Sequence, residues 1–392
     1  MSTLKVDNIR HNNATSDAIT MASDGTCTAK LTSVGGGQLS NRNKARNGAM
    51  KISQRATTFS TTTSDTYLID GWMTQHGSSG NLDCTITQST DAPAGFSKSL
   101  KITPDSTQTP SGSQNGMLVQ RLEGQELQDF AFGTSDAKTI TVSWYAKTSA
   151  TGAGNYTVKV EYSPDGSQGN VYAVNKLFAF TTTWTRYTYT IPATGTATSV
   201  GIVDSNAFGF RIEYHLFAGP DDVHSQFTQW TSNPSPTYKV ISGQKNFMDN
   251  TNNELYITGL QIEVGDTAPS FEHRSFADEL THCQRYYQQY VNPCCTGVIP
   301  DNGSKAYSIG LQFQTRMRAV PTLTITNAGT GGNVSDGQST QFISALNAAD
   351  RNVDGASIYL NLAGDLGDFR PACLGLNDST TNSTTYKFTA EL

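Results

Sequence analysis

The chain has little charge. Asp, Glu, Lys and Arg make up 15% of its 392 residues, against roughly 25% in a typical soluble protein. The formal net charge of −6 argues against a binder of phosphate backbones, which needs clustered Lys and Arg to displace counterions. Nucleic acid is therefore not an expected partner. No stretch approaches the about 20 apolar residues of a membrane span, and MSTLKVDNIRHNN has no signal-peptide core. Synthesis in a cytoplasm without membrane insertion is the expectation. The six cysteines, Cys27, Cys84, Cys283, Cys294, Cys295 and Cys373, lack the spacing of a disulfide framework and are expected as free thiols. His282 and Cys283 with Cys294 and Cys295 fall short of the CxxC-type pairs of structural zinc sites, so neither metal nor cofactor is expected. GxSxG, GxxxxGK, HExxH and a helix-opening GxGxxG are all missing, and no enzyme activity is expected.

What the chain has in abundance is alternation. Ile140, Val142 and Trp144 share one face of their stretch; so do Tyr156, Val158, Val160 and Tyr162, and Tyr187, Tyr189 and Ile191. In FGFRIEYHLF, Phe208, Phe210, Ile212, Tyr214 and Leu216 oppose Arg211, Glu213 and His215. Period-2 patterning of this kind predicts half-buried antiparallel strands. Turn-forming segments such as SPDGSQGN and PATGTATS separate them at sandwich-like spacing. In ELYITGLQIEV, Leu255 and Ile257 are out of phase with Leu260, Ile262 and Val264, which predicts a bulge at Gly259.

One stretch changes period. Phe276, Leu280, Cys283 and Tyr287 recur at helical spacing, with Ser275 as the expected N-cap and Asp278 and Glu279 in the first turn, where the helix dipole favours acids. This helix should open a second β domain that includes KAYSIGLQFQ, PTLTIT, ASIYLNL and YKFTAEL. The fold class expected is mostly β: an antiparallel jelly-roll sandwich, then a short helix and a C-terminal β-sandwich, preceded by an extended N-terminal attachment segment. The boundaries are 1–43, 44–274 and 275–392. Leu4, Val6, Ile9 and Ile19 are the scattered apolar positions of the first segment. They are too few for a core, so the segment should order by docking onto a partner.

Several segments carry a family resemblance. NRNKARNGAMKISQR (41–55), YLIDGW (67–72), STDAPAGFSKSLKIT (89–103), EGQELQDFAFGTSDAKTITVSWYAK (123–147) and ELYITGLQIEVGDTAPSFEHRSFADELTHCQRYY (254–287) resemble the jelly-roll module of tailed-bacteriophage tail fibres and related virion proteins. The resemblance implies a carbohydrate-binding-module-like jelly roll in a virion fibre. GLQIEVG would be a closing strand, APSFEHR would leave the sandwich, and SFADELTHCQRYYQQY would lead to a tip domain. QTRMRAVPTLTIT and YKFTAEL resemble the C-terminal domains of such fibres, and MSTLKVDNIR resembles segments that attach a fibre to the particle. A homotrimer, other virion proteins and host surface polysaccharide are the implied partners, and the virion is the implied location. Glu272, His273 and Arg274 are expected to brace the domain junction.

Sugars present C–H faces and hydroxyls, so a site for them combines an exposed aromatic plane with hydrogen-bonding groups. Trp72 with Gln75 and His76, and Trp230 with His224 and Gln229, are the candidates, whereas Trp144 and Trp184 lie in strand-like sequence and are expected in the core. Cleavage of polysaccharide would need two carboxylates roughly 5 to 10 Å apart. Glu123 with Glu126 or Asp129, and Asp221 with Asp222, are the available pairs, all in turn-like segments where solvated acids are expected. The expected function is thus a tail fibre that recognises host glycan without cutting it. A purely structural virion component and a polysaccharide depolymerase are the alternatives.

Overall fold

The computed structural model describes residues 6–10, 12, 18–25, 27–29, 40–61, 65–77, 82–194, 200–232, 239–291, 295–299, 305–308, 310–326, 333–336, 339–366, 370–374 and 385–392. The alternating segments pair as two antiparallel sheets. A six-stranded sheet runs in the order Thr185–Ile191, Ile140–Thr148, Leu255–Val264, Ser99–Pro104, Cys84–Ser89, Thr58–Thr61. A seven-stranded sheet runs Thr231–Ser232, Tyr172–Phe180, Gly154–Tyr162, Phe208–Ala218, Asn115–Glu123, Met73–Gly77, Thr66–Tyr67. The apolar faces meet in one core that holds Val142, Trp144, Val158, Val160, Phe210, Ile212, Tyr214, Leu260 and Ile262. This is the expected mostly-β sandwich.

The phase slip at Gly259 is resolved as expected. Gly259 has φ of +66°, and the register on strand Ile140–Thr148 jumps from Ser143 opposite Gln261 to Tyr145 opposite Thr258. The extra residue turns the strand so that Leu255 and Ile257 before it, and Leu260 and Ile262 after it, all face the core. A Cβ on Gly259 would stand 2.9 Å from both the Phe96 and Tyr145 rings.

The helix spans Phe276–Gln284, and Ser275 caps it by accepting from the Asp278 amide at 3.1 Å. Two members of the expected apolar stripe lie elsewhere. Phe276, at the first helical position, is 61% exposed. Tyr287 already belongs to strand Tyr287–Val291, since the helix ends three residues earlier. Beyond the helix, a three-stranded sheet pairs Tyr287–Val291 and Thr322–Thr326 with Thr385–Thr389. A larger sheet closes on itself, with Lys305–Ser308 pairing both Cys295–Ile299 and Gly355–Leu362. Ile343, Ile358, Leu360 and Phe388 are in the second core.

Before the sandwich, Asn8–Ile9, Ile19–Met21 and Cys27–Ala29 form a small antiparallel sheet. Ile19 is half-buried and Ile9 is 50% exposed, with Val6 and Met21 also exposed. Leu4 lies outside the described residues. Among the described residues, none from 6 to 40 joins either core.

Candidate functional site

Alternation predicts one wet face per strand, yet the polar face of the seven-stranded sheet is buried over its centre. Lys159 and Glu161 on Gly154–Tyr162 stand opposite Glu213 and Arg211 on Phe208–Ala218, and Arg211 stands opposite Arg121 on Asn115–Glu123. All of these, with His215, are buried. They are covered because loops cross this face. Gln244 accepts from the Thr157 amide and donates to the His215 carbonyl at 2.9 Å, the Ile241 amide donates to Thr157 Oγ1 at 3.0 Å, and the Phe227 amide donates to Asn175 Oδ1 at 2.7 Å. The turn after Tyr162 brings Gln168 over the two arginines, accepting from Arg121 at 2.9 Å and from Arg211 at 3.4 Å.

Buried charge is tolerated only when paired. Arg211 Nε lies 2.6 Å from Glu161 and 2.7 Å from Glu213, and Lys159 pairs with Glu161. His215 Nε2 lies 3.0 Å from Glu213 Oε2. Burial opposes ionisation of Glu213, but Arg211, Lys159 and His215 together hold its carboxyl well below the usual range. Burial pushes His215 down.

A cleft of about 210 Å³ opens beside this network, lined by Gln75, His76, Gly77, Asn115, Met117, Gln168, Arg211, Glu213 and Lys239. Gly77 makes room for its floor, since a Cβ there would lie 2.8 Å from Asn115 Nδ2. That amide donates to Asp222 at 2.7 Å, and Asp222 in turn accepts from the Lys239 amide at 3.0 Å, which fixes Lys239 at the cleft. Arg121 ties the walls together, donating to Gln75 at 3.2 Å, to Gln168, and to the Leu392 main-chain oxygen at 2.7 Å. His76 Nε2, Asn115 Oδ1, Arg121 Nε and His215 Nδ1 have no hydrogen-bond partner in the protein. Unmet hydrogen-bonding capacity is costly to a fold, and of these four atoms those of His76 and Asn115 belong to residues that line the cleft.

The sequence-level candidates divide at this cleft. Gln75 and His76 line it. Trp72 does not: its indole is 1% exposed, against Tyr214 in the core at 6.3 Å between centroids, so it has no face to offer a ligand. It follows the tight turn at Gly71 into the sandwich rather than out of it. Trp230, 8% exposed, is likewise corrected from platform to core. Its ring packs edge-on to Phe132 and Tyr162, and its Nε1 donates to the Pro192 carbonyl at 2.8 Å. His224 and Gln229 sit on the covering loops, with His224 against Phe227, and do not line the cleft. Trp144 is in the core as expected, but Trp184 is half-buried on the outer side of the six-stranded sheet, donating to Asp91 at 2.9 Å.

The carboxylate pairs also resolve. Glu123 is not a solvated acid. It is buried, gripped by Arg285 through two 2.7 Å contacts and by the Tyr286 hydroxyl at 2.5 Å, and so ties the jelly roll to the helix. Glu126 lies in a junction cavity of about 340 Å³ with Lys44, Arg46, Arg274 and His282 among its lining residues, and burial with the Glu123 charge raises its pKa. Asp129 pairs with Lys44 at 2.8 Å. Asp222 is buried and Asp221 exposed. Glu272 and Arg274 brace the junction, accepting from the Asn43 amide at 2.8 Å and donating to the Ala45 carbonyl at 3.0 Å, whereas His273 is exposed against Phe96 and Phe271. Cys84 and Cys283 are free and buried; Cys294 and the side chain of Cys295 lie outside the described residues.

The cleft's charged residues escaped the sequence reading because Arg211, Glu213 and His215 looked like a solvated face. The usable signal was their conjunction with Lys159 and Glu161, charged positions alternating within two strongly apolar strands.

No family model matches the chain, and no curated protein matches it. Among solved structures, it is similar to the enzymatically active domain of bacteriophage CBA120 tailspike protein 4, at 11% identity and a TM-score of 0.31 over 57% of this chain and 21% of that one. It is similar to the C-terminal family 22 carbohydrate-binding module of Clostridium thermocellum Xyn10B, at 13% identity and a TM-score of 0.27 over 54% of this chain and 96% of that one. A tandem pair of such modules from Paenibacillus barcinonensis Xyn10C gives 10% identity and a TM-score of 0.26, over 86% of this chain and 99% of that one. Likenesses of this size say nothing of what this chain binds.

Proposed function

We propose that this chain is a glycan-binding fibre protein of a tailed-phage virion, and that the cleft on the seven-stranded sheet holds the sugar without cutting it. The observation that carries the reading is an open cleft lined mostly by polar side chains, with walls already held by Arg121 and Gln168. A polyhydroxyl ligand hydrogen-bonds to a polar lining of this kind, and a site held rigid before binding loses little entropy on capture. The tail-fibre resemblance of residues 41–290 supports placing it on a virion.

The carboxylates favour binding over hydrolysis. A glycosidase needs one carboxylic acid that keeps its proton near neutral pH, whereas Glu213 is held ionised by its cations. Glu126 does have a raised pKa, but its neighbour Glu123 is buried and committed to Arg285 and Tyr286. Exposed Ile9 and Met21 on the N-terminal sheet and Val6 before it support attachment to another virion protein or to further copies, with a homotrimer as the fibre-like assembly.

The test is retention of labelled full-length chain on intact cells of candidate bacterial hosts. Saturable binding, competed by the cells' own polysaccharide, without release of reducing ends, and lost in a folded Gln75→Ala/Gln168→Ala variant, is the expected result. Retention unchanged by that double substitution would remove the cleft from the account. Absence of retention on susceptible cells would favour the purely structural role.

A further inference from the structure

Arg121 links two walls of the cleft. Its Nη2 donates to Gln75 Oε1 at 3.2 Å, on strand Met73–Gly77, and to Gln168 Oε1 at 2.9 Å, on the turn after Tyr162. With both of those oxygens engaged, the Nε2 groups of the two glutamines are left as donors for a ligand. The cleft by itself does not secure this arginine. Arg211 repels it from directly opposite on the neighbouring strand, Asp65 and Glu213 attract it, and its Nε makes no hydrogen bond. Its Nη1 reaches out of the cleft, to the Leu392 main-chain oxygen at 2.7 Å.

That oxygen is held in turn by the second domain. Strand Thr385–Thr389 runs on into residues 390–392, and each of the three is fastened. The Ala390 amide donates to the Tyr286 carbonyl at 2.8 Å, Arg318 donates to the Ala390 carbonyl at 2.8 Å and the Glu391 carbonyl at 2.7 Å, and the Tyr67 hydroxyl donates to the Leu392 oxygen at 2.9 Å. The Glu391 carboxylate, 4% exposed, lies 2.6 Å from Arg55 and 3.9 Å from Arg46. Arg318 also donates to the Asn206 carbonyl at 2.8 Å, so it grips the tail and the jelly roll together. A long side chain immobilised before binding spares the ligand that entropy cost.

We propose that residues 390–392 of the second domain are a positioning element for the cleft: by fixing Arg121 they set the spacing of Gln75 and Gln168, and so govern how tightly the jelly roll holds its ligand. This rests on the reading that the cleft binds glycan. The probe is surface polysaccharide purified from a host strain whose cells retain the full-length chain. Arg318→Ala, which touches none of the cleft residues, should bind it roughly tenfold more weakly at a temperature where the variant is fully folded, with Arg318→Lys recovering part of the loss. By reciprocity, polysaccharide in the wild-type cleft should slow amide exchange at Ala390, outside the cleft. Should Arg318→Ala not fold, Tyr67→Phe removes one hydroxyl from Leu392 and should weaken binding about twofold. Wild-type affinity in the folded variant, or exchange at Ala390 indifferent to polysaccharide, overturns the inference and leaves the cleft reading standing. Failure of the wild-type chain to bind any susceptible host overturns both.

Discussion

The two sheets of the jelly roll turn opposite outer faces to their surroundings, and the faces solve the same problem differently. On the six-stranded sheet, Lys147 pairs with Asp91 and Lys101 with Glu254, while Trp184 and the Tyr256 hydroxyl donate to those same two acids. Every charge in that cluster has a partner, and water reaches its edges. On the seven-stranded sheet, Lys159, Glu161, Arg211 and Glu213 are sealed under loops, and buried atoms of Arg121 and His215 beside them lack hydrogen bonds. One face pairs its charges in contact with water; the other pairs them out of its reach.

The sharpest way to break this contrast is to remove a charge from each face. Arg211→Ala leaves Glu161 and Glu213 buried with only Lys159 and His215 beside them, and should cost about 3 to 5 kcal/mol of folding stability in urea titrations. A loss under about 1 kcal/mol would mean that the network is solvated rather than sealed. Gly259→Ala comes next. It forces a side chain into the left-handed region and against Phe96 and Tyr145, and should cost about 1 to 3 kcal/mol, read from the same titration. Lys147→Ala on the wet face should change stability by less than about 1 kcal/mol, because an exposed pair gains little in water.

Acidification separates the faces in another way. His215 is depressed from its ordinary 6.5 and Glu213 from 4.5. For both, the unfolded chain binds protons more readily, so stability is full above those values and is lost as pH falls. The wild-type curve should therefore decline below pH 6.5 and more steeply below pH 4.5. Glu213→Gln should flatten the second stage; a curve unchanged by that substitution would show that Glu213 is not held by its cations.

Much of the scaffold was legible in the sequence. The strand faces, the bulge at Gly259 and the Ser275 cap follow from periodicity and from local chemistry that neighbouring residues enforce. The site was legible only in Gln75 and His76. Nothing local distinguishes an indole beside a turn that points inward, as Trp72 does, from one that points outward, as Trp184 partly does. That choice is made by register and by which loop lies above. The burial of Arg211 and Glu213 depends on segments 163–170, 222–232 and 239–245, whose path over the sheet no strand pattern encodes.

Hydrogen exchange of the full-length chain, with and without a saturating polysaccharide that it retains, tests the central claim most directly. Protection gathered at residues 73–77, 115–117 and 168 is the predicted result. Protection centred instead on the outer face of the six-stranded sheet, around Trp184 and Tyr256, would contradict it.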